Sequence, residues 1–280
     1  MTLNFMQLTE SKDFKDPDLS NVFIHSRLAP SKVKQRTKLP SFKLVVEGEE
    51  IYRIGNRDIR VSAGEMLFVK SGVVLEVSTA PERDTTGMCY YFGGAGYELF
   101  DEPYFKIELS ARLQKRAAEL NAAINAGAAC ADEINAFKNE LVQFGVKSLC
   151  RLATLSEKTN LLRHSTRADI TSRLERTRTY IRRNAAKPIS LEELSEVAGL
   201  SKFYLAHHYR RVYAVSPMRD HQNARMHLAA RLLQTQDFSL ESAAHAVGYS
   251  DFASFAKAFK RCFGQPPGAY RDNIGANTPA

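Results

Sequence analysis

Two segments in the last third of the chain carry side chains that can contact DNA. In residues 202–212 apolar side chains recur at helical spacing, which leaves a mixed row on the opposite face: Lys202, Phe203, Ala206, His207 and Arg210. Residues 251–263 leave a similar outward row: Phe252, Ala253, Ser254 and Lys257. Lysine and histidine donate hydrogen bonds to a purine or a phosphate, and a phenyl ring makes apolar contact with a thymine methyl group. The two rows are therefore candidates for contacting base edges.

Other basic residues in the same region can hold the DNA backbone. We expect phosphate contacts from Arg182, Arg183, Lys202, Arg210, Arg211, Lys260 and Arg261. Such contacts position a protein on the duplex without specifying sequence, and they make the affinity fall steeply with salt. The second row has few hydrogen-bonding groups, so we expect weaker base readout there and some dependence on DNA shape.

The first row lies on the second helix of a predicted helix-turn-helix unit. Ser190 and Glu193 have the spacing of a capping box at the start of the unit's first helix. That helix stops at Gly199, where a left-handed residue is favoured. Ser201 is placed to cap the helix 202–212 that follows. In a helix-turn-helix unit this second helix enters the major groove.

The same order of residues recurs about fifty positions later. Ser239 begins the second copy, Gly248 marks its turn, and Ser250 is the predicted cap of the helix 251–263. Between the copies, Ser216 and Pro217 begin a helix that we expect to run to about residue 236. About 19 residues at ~1.5 Å each span roughly 28 Å. That length is near the ~34 Å between successive major-groove faces.

These residues resemble the AraC/XylS family of regulators over about residues 170–272. The second copy resembles the family signature at Gly248-Tyr249-Ser250-Asp251, Phe255, Phe259-Lys260-Arg261, Phe263-Gly264, Pro267 and Tyr270-Arg271. The first copy is similar at Leu191, Leu194, Gly199-Leu200-Ser201, Leu205, Ser216-Pro217, Arg225, Ala229 and Leu232-Leu233. The resemblance implies a protein that binds double-stranded promoter DNA and recruits RNA polymerase. It also implies that Phe203, Ala206 and His207 occupy base-contacting positions.

Three places depart from the family pattern. Ala214 stands where Gly is usual and Asp220 where Tyr is usual, which concerns local packing. Phe252, Ala253 and Ser254 replace a more polar trio, which concerns base readout. Lys257 is then the expected guanine or phosphate contact of the second helix.

The N-terminal half is predicted to be a small β-barrel. Short alternating segments with Gly-rich turns occupy residues 41–92 and predict a sandwich or barrel. They are similar to the cupin-like barrel of many AraC/XylS regulators, and residues 63–69 resemble the second cupin motif. Lys70 and Leu75 stand near the places where that motif continues to a Pro and a metal-binding His. Because His25 is the one histidine near the barrel, a metal site is not expected.

No catalytic constellation is expected elsewhere. Cys89 lies in an apolar strand without an obvious base, and residues 93–96 lack the strand-to-helix setting of a dinucleotide loop. We predict no cofactor and no enzyme activity. The alternatives are a metal-dependent cupin enzyme fused to a DNA-binding module, a DNA-repair methyl acceptor, which needs a zinc-anchored cysteine cluster, and a nonspecific architectural DNA binder.

The barrel interior is a candidate effector pocket, although packing without a ligand is an open alternative. The lining residues predicted for it are Phe42, Leu44, Val46, Tyr52, Ile54, Phe68 and Tyr90. The resemblance also allows a protein effector instead of a small molecule. Helices predicted at about 110–155 can cover the barrel or pair with a second chain, and the resemblance implies a homodimer through 111–155.

The charge distribution separates the two halves. Residues 166–280 carry 17 Lys and Arg against 10 Asp and Glu, whereas residues 1–165 carry 22 against 21. This asymmetry favours a polyanion-binding domain behind a near-neutral one. No window has the roughly 18 apolar residues of a membrane span, and Met1–Glu10 does not resemble a secretory signal. The four scattered cysteines favour a reducing compartment, so we predict a bacterial cytoplasmic protein, associated with the nucleoid when bound to DNA.

The predicted fold class is α+β, with a cupin-like barrel followed by an all-α domain. The sensory or dimerisation domain is expected at 1–156, with the barrel at about 20–100, and a linker at 157–169. The DNA-binding domain is expected at 170–272 and a tail at 273–280. The predicted function is sequence-specific transcription regulation, as an activator whose DNA binding an effector shifts between populations.

Overall fold

The described residues within 41–92 form strands joined by turns, as their alternation and glycines predict. The computed structural model describes residues 3–9, 20–29, 32–79, 84–93, 101–161, 163–235 and 238–276, so residues 94–96 of the Gly-rich stretch lie outside it. Its strands are β1 (Asn4–Leu8), β2 (Val22–Leu28), β3 (Lys32–Arg36), β4 (Ser41–Glu47), β5 (Glu49–Ile54), β6 (Arg57–Ser62), β7 (Glu65–Val69), β8 (Val74–Thr79), β9 (Thr85–Tyr91) and β10 (Tyr104–Glu108).

The strands form two sheets that pack face to face. One sheet has the order β1-β2-β9-β4-β7-β10, and the other has the order β3-β8-β5-β6. Their facing sides share an apolar core that includes Val45 and Leu67 from the first sheet and Tyr52 and Val61 from the second. Successive side chains of a strand point to opposite faces, so Phe42 and Leu44 of β4 face away from this core.

Two helices cover the outer face of the six-stranded sheet. They are α1 (Ala111–Asn125) and α2 (Ala131–Glu157), and their apolar stripes pack on the sheet in one core with Phe42 and Phe68. Gly145 of α2 lies over the Phe42 ring, where a Cβ would come within 2.4 Å of Cζ. The sequence allowed these helices either to cover the barrel or to pair with a second chain. Their apolar stripes cover the barrel.

The remaining helices are α3 (His164–Arg183), α4 (Leu191–Ala198), α5 (Lys202–Tyr213), α6 (Pro217–Gln234), α7 (Leu240–Ala246), α8 (Phe252–Phe263) and α9 (Pro267–Ala276). The chain divides into two compact units, Met1–Ser172 and Arg173–Ala280. The first combines strands and helices, and the described part of the second is all-helical, so the predicted α+β class is confirmed. No helix in the described ranges is long and apolar enough to cross a membrane.

The boundary between the units differs from the predicted linker at 157–169. Glu157 ends α2, and α3 already begins at His164. The start of α3 belongs to the first unit because Ala168 is buried in its core and Arg57 binds two residues there. The Arg57 guanidinium donates to Thr166 Oγ1 at 2.8 Å and lies 3.2 Å from Asp169 Oδ2. Polar composition concealed this helix, because Thr166 and Asp169 at its start make polar contacts with Arg57.

The predicted tail at 273–280 also differs in part. Helix α9 continues to Ala276, whereas residues 277–280 lie outside the described ranges. Residue 236, the expected end of the helix between the two copies, lies outside them as well; α6 ends at Gln234.

Candidate DNA-binding surface

The first helix-turn-helix unit has the turn and the cap residues that the sequence predicts, but the Glu193 carboxylate of the predicted capping box accepts from Tyr180 Oη instead. Ser190 Oγ accepts a hydrogen bond from the Glu193 amide at 3.1 Å at the start of α4. Gly199 ends that helix with a φ of 61°, in the left-handed region. Ser201 Oγ accepts from the Tyr204 amide at 3.3 Å and so caps α5.

The second unit is built in the same way but with a different cap. Gly248 has a φ of 80° at its turn. Asp251, not the predicted Ser250, caps α8: its Oδ1 accepts from the Ser254 amide at 2.7 Å. This hydrogen bond lowers the pKa of the Asp251 carboxyl. We call α5 and α8, the second helices of the two units, the candidate reading helices. Since α5 begins at Lys202 and α8 at Phe252, they match at an offset of fifty residues.

An arginine from the preceding helix closes each turn, which sequence reasoning missed. Arg173 Nη1 of α3 donates to the carbonyl oxygens of Ala198 at 3.3 Å and Gly199 at 2.9 Å. Arg225 Nε of α6 donates to the Val247 carbonyl at 2.7 Å, and its guanidinium stacks on Tyr249 at 4.4 Å from the ring centroid. Guanidinium groups thus satisfy carbonyls that the ends of α4 and α7 leave open.

Both turns carry glycine because φ is positive there and because a Cβ would be crowded; at Gly248 its nearest neighbour would be the Ala186 backbone carbonyl at 2.8 Å. A Cβ at Gly199 would lie 2.8 Å from Arg173 Nη1, and one at Gly248 would lie 2.9 Å from Arg225 Nη2. Each unit is therefore a group of three helices, with α3 before α4 and α5, and α6 before α7 and α8. The sequence analysis included Arg225 in the family resemblance but assigned it no role. It did not identify Arg173, because the number of residues between Arg173 and Gly199 differs from the number between Arg225 and Gly248.

The predicted base-contacting side chains lie on the outer faces of α5 and α8. Phe203 is 84% exposed and Phe252 is 37% exposed. His207, Ala253, Ser254 and Lys257 are exposed, and Ala206 is half-buried. The inward side chains Leu205 and Tyr209 of α5 and Phe255 and Phe259 of α8 are fully buried.

Most of the predicted phosphate contacts are exposed at helix ends. Arg182 and Arg183 are in the last turn of α3, Arg210 and Arg211 in that of α5, and Lys260 and Arg261 in that of α8. Lys202 differs, because its Nζ lies 2.5 Å from Glu192 Oε1 of α4. This contact lowers the pKa of Glu192. A phosphate contact by Lys202 would have to compete with that carboxylate.

A polar network joins α3, α5 and α6. Asp220 Oδ2 accepts from Tyr209 Oη at 2.6 Å and from Arg178 Nε at 3.0 Å. The Arg178 guanidinium lies 4.3 Å from the Tyr213 ring centroid, and Tyr213 Oη donates to Glu175 Oε1. Burial raises the pKa of both tyrosines, so they remain hydrogen-bond donors. Asp220, which stands where the family usually has Tyr, therefore accepts hydrogen bonds from two neighbouring helices.

Ala214 follows α5 in a conformation that favours glycine. Its φ is 60°, whereas the corresponding residue after α8 is Gly264 with a φ of 77°. The glycine that is usual in the family would adopt this conformation without strain. In alanine the left-handed conformation costs about 1 kcal/mol.

The residues predicted to line one effector pocket divide between two cores. Phe42, Leu44, Val46, Phe68 and Tyr90 lie on the side that α1 and α2 cover. Tyr52 and Ile54 lie between the two sheets. One cavity cannot be lined by all seven, because the six-stranded sheet separates the two groups. The sequence identified the apolar positions but not which sheet face each one joins.

Two single residues of the first unit have different outcomes. His25 is buried, its Nε2 lies 2.8 Å from Asn121 Oδ1, and burial lowers its pKa, which fits the structural role expected of it. Among the described residues no three His, Cys, Asp or Glu side chains group to hold a metal ion. Cys89 does have a basic neighbour, contrary to expectation: Lys43 Nζ lies 3.9 Å from its Sγ.

Comparisons with known proteins give a family model within the helical unit and relatives similar over about a third of the chain. Residues 194–273 match a family model described as a helix-turn-helix domain. An AraC-like transcription regulator from Streptomyces lividans is 34% identical over 93 residues, 33% of this chain and 31% of that protein. The MmsAB operon regulatory protein of Pseudomonas aeruginosa is 29% identical over 101 residues, 36% of this chain and 33% of that protein.

A solved structure is also similar to part of the chain. The C-terminal domain of AraT, a response regulator from Geobacillus stearothermophilus, is 28% identical, with a TM-score of 0.35, over 37% of this chain and 87% of that one. The chain spans about a third of the length of the curated relatives that it matches.

Proposed function

We propose, on the premise that residues 194–273 form an AraC-type helix-turn-helix domain, that this protein is a sequence-specific regulator of transcription. The observation that supports this most directly is the duplicated unit: α5 and α8 each present an exposed row of side chains and a basic last turn. A helix presented in this way fits the major groove of a duplex.

The central helix α6 supports a two-groove arrangement. It contacts both α5 and α8 and has 18 residues, which span about 27 Å at ~1.5 Å per residue. Successive major-groove faces lie ~34 Å apart on one side of a duplex. We propose that α5 and α8 enter adjacent major grooves and that modest bending of the DNA accommodates the difference.

The side chains have separate proposed roles. His207 and Lys257 donate to base edges or phosphates, and Phe203 contacts a thymine methyl group. Ala206, Phe252, Ala253 and Ser254 add apolar and weak polar contacts. Arg182, Arg183, Arg210, Arg211, Lys260 and Arg261 hold phosphates, with Lys202 joining them when it exchanges Glu192 for DNA.

The first unit is proposed to control this binding. An effector, either a small molecule or a protein, would change the population of DNA-binding states, and the bound protein would recruit RNA polymerase as an activator. The division of the chain into two compact units supports separate sensing and DNA-binding parts.

We also propose a homodimer through the helices of 111–155. Because their apolar stripes are buried on the sheet, the dimer must use their outer faces, where Ala111, Ala118 and Ala122 are exposed on α1. Ala118→Arg is expected to shift the protein towards monomer in sedimentation experiments. The exposed substitution Asn56→Arg, in the turn between β5 and β6, is the control outside the proposed interface. An unchanged mass for Ala118→Arg would contradict this interface.

Footprinting tests the DNA-binding proposal. Genomic fragments enriched by the full-length protein should show two protected tracts about one duplex turn apart, roughly 10 base pairs. The affinity for such a fragment should exceed that for random duplex by ~10³ or more. A single protected tract, or equal affinity for both duplexes, would contradict the proposal.

A further inference from the structure

A group of polar side chains is buried between strands of the first unit, on the side of β4 that faces the second sheet. The Lys43 side chain is only 2% exposed. Its Nζ donates to Tyr91 Oη at 2.8 Å and lies 4.6 Å from the centroid of that ring. Cys89 Sγ is 3.9 Å from the same Nζ. Lysine is rarely buried, so this position calls for a chemical explanation.

Sheet register holds the amine and the thiol together. Lys43 of β4 and Cys89 of β9 are directly opposite each other in an antiparallel pair, so their side chains share one face. Glu50 of β5 is also buried and accepts a hydrogen bond from Tyr52 Oη. The charge of Lys43 opposes the rise that burial causes in the pKa of Glu50. A lysine amine, a thiol, two phenols and a carboxyl group are therefore concentrated in a small space.

A second polar group beside this pair can still make a hydrogen bond. Ser41 precedes Lys43 by two residues on the same face of β4 and lies opposite Tyr91. Its side chain is fully buried, and its Oγ has no hydrogen-bond partner among the described residues. A buried hydroxyl without a partner costs free energy unless another group arrives to bond it. Cys89 lies diagonally across from Ser41 on the same face of the β4–β9 pair, so this hydroxyl belongs to the same buried polar group.

The other three cysteines lack this setting. Cys130 is exposed at the start of α2, where Asp132 and Glu133 place negative charge in the first turn. Cys150 is exposed in the middle of α2. Cys262 is half-buried, and burial raises the pKa of its thiol. Cys89 combines partial exposure with a neighbouring amine, which is the setting of a reactive thiol.

We propose that Cys89 is a modification site at which hydroperoxides oxidise the thiol to a sulfenic acid, with Lys43 as the activating group. The Lys43 ammonium stabilises the thiolate, which attacks one peroxide oxygen. The O–O bond breaks, sulfur loses two electrons, and the departing hydroxide takes a proton to leave as water. The balance is one thiol and one hydrogen peroxide giving one sulfenic acid and one water. This site is independent of the DNA-binding proposal.

The ranking of the four cysteines in the intact protein tests the site. Hydrogen peroxide is added with a cyclic 1,3-diketone that traps sulfenic acids, and each cysteine peptide is followed by mass spectrometry. Cys89 should be labelled about 10-fold faster than Cys130 or Cys150, although both are more exposed. In protein unfolded by urea the four rates should converge. Labelling in the order of exposure, with Cys130 and Cys150 first, would overturn the proposal.

Two substitutions at Lys43 separate charge from packing. Lys43→Met removes the ammonium and should lower the Cys89 rate about 10-fold, whereas Lys43→Arg keeps the charge and should retain most of it. Circular dichroism at the assay temperature confirms that both variants are folded. If a folded Lys43→Met variant kept the wild-type rate, Lys43 would not be the activating group and the proposal would fail.

Discussion

His207 and Arg210 lie about one turn apart on α5 and are both exposed, yet they are expected to affect DNA binding differently. A hydrogen bond to a base edge depends on the base, whereas a phosphate contact does not. His207→Ala should cost about 1–3 kcal/mol at one base position and relax specificity there. Arg210→Ala should weaken binding to all duplexes about equally and reduce the salt slope by about 1.

Titrations of labelled duplex at several salt concentrations measure both effects. The enriched fragment and a random duplex are compared for each variant, with Arg112→Ala in the first unit as the control for loss of a positive charge. If both α5 substitutions left binding to the enriched fragment unchanged, α5 would not be a reading helix.

Gly145 offers a test of packing at a single atom. A methyl group there would meet the buried Phe42 ring at 2.4 Å, and the ring is enclosed by α2 and the sheet. We expect Gly145→Ala to lower the free energy of unfolding of the first unit by about 1–3 kcal/mol, despite the better helix propensity of alanine. Urea unfolding measures the change, and Asn139→Ala on the exposed face of α2 should cost much less. A stabilised Gly145→Ala variant would show that the ring can move aside.

Some single-residue features could be predicted from the sequence and others could not. Helical spacing correctly separated the buried side chains of α5 and α8 from the exposed ones, because that pattern is local. The cap of α8 was wrong by one residue, since Ser250 and Asp251 are both good caps and the turn length alone decides between them. The alternation of residues 41–47 places Lys43 on the face of β4 opposite Phe42, but which sheet covers that face is a long-range property.

The ends of the two reading helices allow a matched pair of substitutions. Ala214 and Gly264 both adopt left-handed conformations after their helices. Ala214→Gly should raise the stability of the helical unit by about 0.5–1 kcal/mol, because it removes the Cβ strain. Gly264→Ala should lower it by about 1 kcal/mol. Thermal unfolding of the two variants decides, and a destabilised Ala214→Gly would contradict the strain argument.

At the scale of elements, strong local patterns were predictable and weakly patterned elements were not. The alternation of 41–92 predicted β4 to β9, and Gly turns predicted the two helix pairs. Strand β3 was missed because it carries charged side chains at its exposed positions, as an edge strand does. The start of α3 was missed because its contacts through Arg57 involve residues more than a hundred positions apart.

Across the whole molecule, buried histidines make stability depend on pH. Burial lowers the pKa of His25 in the first unit and of His208 and His221 in the second, from an ordinary value of 6.5. The unfolded chain then binds more protons than the native state as the pH falls below 6.5. The free energy of unfolding should therefore be fully retained above this pH and decrease below it, until the native pKa values are reached.

Urea unfolding at about pH 7.5 and about pH 5 tests this dependence. His25→Gln should reduce the pH dependence of the first unit, and His245→Gln, at an exposed position, should leave that of the second unit unchanged. Equal stability at both pH values would show that these imidazoles titrate normally in the native state.

Because α6 is continuous, it fixes the geometry between α5 and α8, and this constrains the DNA sites that the protein is proposed to bind. One residue inserted in this helix would rotate α8 by about 100° about the helix axis and displace it by ~1.5 Å. The two helices proposed to contact the major grooves are therefore held at a fixed phase, unlike two modules on a flexible tether. Its target sites would have to conserve the interval between their half-sites, and a single base pair gained or lost in that interval should abolish regulation even where both half-sites are intact.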